Sequence, residues 1–167
     1  MPESPFPTPA PGFDQPLELL RACHMKMLAH AGQLTRLSTM DPADADFQSL
    51  RHRVCRYFDE SAPLHHEDEE RDLFPALLRK DDGLKDTICR LNRQHPELEA
   101  AWQAIRRALF EAPLPAELGT RSEAFLQALR EHITLEETGI LAPAERLLDA
   151  ESLHRLGKAM ARRRGVA

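Results

Sequence analysis

The sequence predicts an all-α fold, an antiparallel up-down four-helix bundle with a short C-terminal helix. Three observations carry this. Leu and Ala dominate the apolar residues, while aromatics are 5% and β-branched residues are scarce, which favours helix over sheet. Apolar positions recur three and four residues apart through four long stretches with brief breaks between them. At 167 residues and 42% hydrophobic content, the chain is large enough for one domain with a substantial core.

The elements follow in order. Residues 1–15 form a Pro-rich leader (Pro2, Pro5, Pro7, Pro9 and Pro11), expected to be extended or disordered, without the basic and apolar regions of a signal peptide. Asp14 and Pro16 start a first helix that runs to about 38, with Leu17, Leu20, Met27, Leu28, Ala31 and Leu34 on one stripe. Asp41-Pro42 opens a second helix reaching about Lys80, kinked at Pro63 and kinked or ended at Pro75. Asp81-Asp82-Gly83 is a turn. A third helix spans about 84 to 110, with Leu84, Ile88, Leu91, Leu98, Trp102, Ile105 and Leu109 on one face. Ala112-Pro113-Leu114-Pro115 breaks it. A fourth helix spans about 120 to 149 through Phe125, Leu129, Ile133, Ile140 and Leu147, and a short last one covers about 151 to 163. The bundle thus occupies 16–160, and 161–167 is a short basic tail. Arg162-Arg163-Arg164 reads as a solvated helix end that complements the helix dipole.

Composition narrows the function classes. A net charge of −5 gives no reason to expect nucleic acid. No apolar run approaches the roughly 20 residues needed to span a membrane. Cys23, Cys55 and Cys89 are far apart and form no paired motif, which points to a reducing, cytoplasmic setting and to small packed thiols rather than reactive ones.

A histidine followed by a glutamate four residues later occurs four times: His65/Glu69, His66/Glu70, His95/Glu99 and His132/Glu136. On a helix, that spacing puts imidazole and carboxylate on one face, where both can reach one metal centre. Three of the pairs continue apolar stripes. His65 is seven residues after Phe58, His95 four after Leu91, and His132 three after Leu129. His24, seven after Leu17, lies in the first helix's stripe without a paired Glu. The steps from 24 to 65, 65 to 95 and 95 to 132 are 41, 30 and 37 residues, each long enough to return the chain to the same height on the next helix. Ionised Glu is seldom buried unless paired or metal-bound, and no Lys or Arg lies in the stripes at this level. The expected ligands are therefore His24, His65, Glu69, His95, Glu99, His132 and Glu136. His66 and Glu70 are the other register on the second helix, about 100° off the Val54–Phe58 line; with Glu67 they are assigned to hydrogen bonds around the ligands. His30, His52 and His154 have no carboxylate four residues on and read as surface or structural residues.

Mixed imidazole and carboxylate donors without thiolate suit iron or manganese and disfavour a structural zinc–cysteine site. Six or seven ligands are too many for one tetrahedral ion. They suit two ions bridged by Glu69 and Glu136, with an open position for O₂, NO or peroxide.

The segment His65-His66-Glu67-Asp68-Glu69-Glu70-Arg71-Asp72-Leu73-Phe74-Pro75 resembles the signature of the hemerythrin-like, HHE cation-binding family. His132-Ile133-Thr134-Leu135-Glu136-Glu137, followed by Leu141-Ala142-Pro143, resembles its second copy with one extra residue before the proline. Cys23-His24 and Gln94-His95 match the ligand positions of the first and third helices. The likeness covers nearly all of the chain after about residue 15. It implies a non-haem centre of two iron ions with an oxo or hydroxo bridge, in preference to manganese or zinc. The classical oxygen carriers have a second His where this chain has Glu99, and a third carboxylate favours oxidised iron over reversible O₂ carriage. Pro96 disfavours helical geometry at His95, so a local kink there is expected to re-aim the site.

The resulting expectation is a cytoplasmic di-iron protein that binds or senses O₂, NO or peroxide, or handles iron. A di-iron peroxidase or oxidase and a metal-free helical interaction module are the alternatives. The expected partner is a small diatomic ligand or peroxide, with no nucleic acid and no membrane. The sequence leaves open whether the centre is catalytic, its oligomeric state and any protein partner.

Overall fold

A computed structural model describes residues 10–166. The described residues are mostly helical, and no strand occurs among them. Helix α1 is Pro16–Leu37, with Pro16 in its first turn, where a missing N–H costs nothing. The second rod of the bundle is segmented: α2 Ala45–Arg56, a π turn Tyr57–Ser61, α3 Ala62–Asp68, a π turn Glu69–Leu73, and α4 Phe74–Leu78. A short 3₁₀ turn, Asp82–Leu84, leads into α5 Lys85–Ala108. The fourth rod is α6 Leu118–Glu136, a π turn Glu137–Leu141 and α7 Ala142–Leu147, followed by α8 Ala150–Arg163. Helix α6 packs on both α1 and α5, and α2 packs on α1. The predicted four-helix bundle with a C-terminal helix is what the chain forms.

The π turns have a common cause. Each ends two residues before a proline: Ser61 before Pro63, Leu73 before Pro75, Leu141 before Pro143. A proline inside a helix has no N–H, and its ring collides with the carbonyl four residues back. One extra residue in the turn opens room for that ring, so the rods continue through the kinks expected at Pro63 and Pro75. Pro96 behaves differently: α5 stays α-helical across it, without the π turn that precedes Pro63, Pro75 and Pro143.

Several boundaries differ from the expectations. The second rod starts at Ala45 rather than Asp41, because Asp41 Oδ1 accepts the Ala43 N–H at 2.9 Å and forms a turn. Residues 1–9 of the expected leader lie outside the described residues. Residues 10–15 are placed: Gln15 N–H donates to Gly12 O at 3.0 Å, and the Phe13 carbonyl lies against α8 at Gly157. A Cβ on Gly157 would meet Phe13 O at 1.9 Å, so only glycine admits this contact.

Apolar residues pack in two clusters. One contains Met27, Leu34, Phe47, Val54, Phe58, Trp102 and Phe125. The other contains Leu20, Leu73, Phe74, Leu77, Leu91, Ile140 and Met160. Buried His24, His65, Glu69, His95, His132 and Glu136 come from the stretches of α1, α3 with the π turn after it, α5 and α6 between the two.

Candidate metal centre

Four side chains from three rods converge at one end of this layer. His24, His65, Glu69 and Glu136 offer donor atoms that all lie within 4.8 Å of one another. His66, His95 and His132 form a second group of the same compactness. The two carboxylates span both. Glu69 Oε1 is 3.2 Å from His65 Nε2, while Glu69 Oε2 is 3.5 Å from His95 Nε2. Glu136 Oε2 is 3.1 Å from His24 Nε2, while Glu136 Oε1 is 2.8 Å from His132 Nε2 and 3.5 Å from His95 Nε2.

Hydrogen bonds behind the imidazoles fix which nitrogen faces inward. His24 Nδ1 lies 2.6 Å from Glu137 Oε1, and His95 Nδ1 lies 2.5 Å from Glu70 Oε1. Carboxylates accept, so these Nδ1 atoms carry a proton and Nε2 is the nitrogen that faces the centre. His132 Nδ1 makes the same kind of contact with Gln94 Oε1 at 3.0 Å. Glu137 is itself held by Arg21, whose guanidinium also pairs with Glu145 at 2.6 Å and Glu18 at 2.7 Å.

The donor set fits a pair of cations. Among the described residues, eight buried polar atoms have no hydrogen-bond partner: His65 Nδ1, His66 Nε2, His95 Nε2, His132 Nε2 and all four oxygens of Glu69 and Glu136. Their close approaches lack hydrogen-bond angles. Orphaned donors and acceptors are rare in folded interiors, and seven of these eight face the same layer as atoms able to bind metal. Burial, then the charge of Glu136, pushes the Glu69 carboxyl well above the usual range. Burial opposes ionisation of Glu136 too, but its contacts with His132, His24 and His95 pull it well below that range. Burial and the nearby His24 lower His65 strongly, and burial with His95 brings His66 down to about 3. Both imidazoles are therefore neutral, the form that ligates a metal.

Of the residues singled out from sequence, His24, His65, Glu69, His95, His132 and Glu136 come together. Glu99 does not. It is exposed, and its Oε1 accepts from Gln103 Nε2 at 2.8 Å. His66 instead joins His95 and His132 in the second group, its ring stacked on that of His95. The inward placement of His66 has a physical source. Counting from Val54 and Phe58 at 3.6 residues per turn crosses the π turn Tyr57–Ser61, which adds a residue and moves the core line toward His66. Glu70 reaches His95, whereas Glu67 is half-buried and pairs with Arg71 and Arg163, both at 3.4 Å. Gln94, Glu137 and Arg21 carry the outer hydrogen bonds; adjacency to His95 and Glu136 was the available signal for the first two, and Arg21 had none. His30 stacks on Tyr57, while His52 and His154 are exposed.

Comparison with known proteins agrees with this geometry. The family model described as hemerythrin HHE cation binding domain matches residues 15–144. A protein of Haemophilus influenzae, described as uncharacterized, is 32% identical over 160 residues, covering 92% of each chain. No helix among the described residues is long and apolar enough to cross a membrane. Over most of its length, and with its convergent histidines and glutamates, the chain belongs to the hemerythrin HHE cation-binding family.

Proposed function

We propose that the chain holds a non-haem di-iron centre and uses it to bind or sense O₂, NO or peroxide, or to handle iron. His24 and His65 would serve one ion and His66, His95 and His132 the other, with Glu69 and Glu136 bridging. One observation carries this: each carboxylate turns one oxygen toward each histidine group. Bound there, iron would supply a Lewis-acidic and redox-active site. The chain's own part is to present imidazole nitrogens, exclude bulk water and hold the ligand orientations through Glu137, Glu70 and Gln94.

Small ligands fit the surroundings better than large ones. A cavity of about 20 Å³ adjoins His66, walled mostly by apolar side chains, Met27, Phe58, Trp102 and Phe125 among them, with Glu99 also on its lining. That volume suits a single water-sized or diatomic molecule. A di-iron peroxidase or oxidase acting on peroxide or O₂ uses the same space, and gas and peroxide additions separate the two.

The test is metal analysis and an absorption spectrum of protein made in iron-rich medium, repeated on Glu69→Ala. Two irons per chain with a charge-transfer band, both diminished in the variant, support the reading. Zinc alone, or no metal, contradicts it and leaves a metal-free helical module. Adding O₂, NO or peroxide to the reduced protein then distinguishes carrier, sensor and peroxidase.

A further inference from the structure

The ligand-bearing segment of the second rod is short and flanked by π turns. Helix α3 is seven residues long and carries His65 and His66; the π turn after it begins with Glu69. A second π turn precedes it, and such turns are short, uncommon interruptions of the regular helical ladder. Tertiary contacts must therefore set where these donors stand. Within the segment, between His66 and Glu69, lies Asp68, which is fully buried.

Asp68 faces the C-terminal helix. The Arg164 guanidinium donates to Asp68 Oδ2 at 2.6 Å and Oδ1 at 3.1 Å, and Arg163 donates to Asp68 Oδ1 as well. Arg163 also holds Asp72 Oδ2 at 2.6 Å and approaches Glu67 Oε2 at 3.4 Å. Two forked guanidiniums thus grip three carboxylates spaced along α3 and the π turn that follows it. Of the three arginines read from sequence as a solvated helix end, Arg162 is exposed but Arg163 and Arg164 are partly buried cross-links; a long-range pairing of this kind leaves no periodic mark in the sequence. An isolated buried carboxylate is costly, so Asp68 ties the segment to α8 rather than merely decorating it.

Resting on the di-iron reading above, we propose that Arg163 and Arg164 are positioning residues for the metal centre. Through Asp68 the C-terminal helix fixes the placement of His65, His66 and Glu69, and with it the retention of iron. Helix α8 also packs apolar side chains, Leu156 and Met160 among them, into the core. That separates two ways of loosening it.

The experiment uses full-length, iron-loaded protein and follows iron loss to an external chelator together with the absorption spectrum. The double variant Arg163→Gln/Arg164→Gln is expected to lose iron about tenfold faster than the parent, with an altered charge-transfer band. The Lys/Lys pair keeps the charge without the fork and is expected to fall between. Leu156→Ala, a control for weaker docking alone, is expected to lower thermal stability with little change in band or release rate. If the glutamine pair releases iron like the parent, or if Leu156→Ala accelerates release equally at the same loss of stability, the proposal is wrong. Should the double variant not fold, Arg164→Gln alone is held to the same criteria. A parent protein that takes up no iron overturns both the clasp and the di-iron reading, whereas an iron-loaded parent with unaffected variants overturns only the clasp.

Discussion

The imidazoles of His66 and His95 stack face to face, with ring centroids 4.0 Å apart and planes 12° from parallel. The pair places His66 in the second histidine group, where the third helix of the classical carriers supplies another ligand and this chain has Glu99. His66→Ala should therefore bind one metal equivalent fewer than the parent, while Glu99→Gln should keep the full complement. Metal analysis of the two variants side by side checks this. The reverse outcome would restore Glu99 as a ligand.

His24 depends on a chain of contacts that runs outward to Arg21. Its Nδ1 meets Glu137, which Arg21 holds at 3.2 Å. Glu137→Ala should free the ring to rotate and lower metal affinity by about 10- to 100-fold, while helix content stays intact. Competition with a chelator measures the first and circular dichroism the second. Arg21→Gln, one contact further out, should have a smaller effect in the same direction.

How much of this was legible in the sequence depends on the range of the interaction. Helices α1, α5 and α6 repeat every 3.6 residues, so their stripes correctly carried His24, His95 and His132 to the core. The π turns follow from prolines, with kinks expected at Pro63 and Pro75 but not at Pro143; the added residue in each turn was not counted, so His66 stood only as the other register. Glu99 followed the stripe by spacing alone; one turn beyond His95 the position faces solvent. The grip of Arg163 and Arg164 on Asp68 joins residues almost a hundred positions apart and could be found only in three dimensions.

Gly157 allows the N-terminal turn to sit on α8. Gly157→Ala forces the Phe13 carbonyl away, and a cost of about 1–3 kcal/mol is expected, as for other overpacked contacts. Chemical denaturation of the metal-free protein measures it. No change in the midpoint would mean that this contact does not form in solution.

Asp149 caps α8. Its carboxylate accepts the Ser152 N–H at 2.8 Å and lies 3.4 Å from Lys80 Nζ. The Ser152 hydrogen bond, first, and then Lys80 lower its pKa from 3.8 to about 2. A carboxylate with a depressed folded-state pKa adds stability above its unfolded value and loses it as the pH falls through the folded one. Asp149→Ala should therefore lower the melting temperature at neutral pH, and the gap from the parent should close between about pH 4 and pH 2. Thermal melts across that range test it. A gap that stays constant with pH would place the effect elsewhere.

The central claim is that Glu69 and Glu136 bridge two ions held in adjacent histidine groups. Mössbauer spectroscopy of the oxidised, iron-loaded protein tests it most directly. The account predicts two iron environments in equal amounts, belonging to one magnetically coupled pair with no net spin. A single uncoupled high-spin ferric signal, with one iron per chain at saturation, would contradict it.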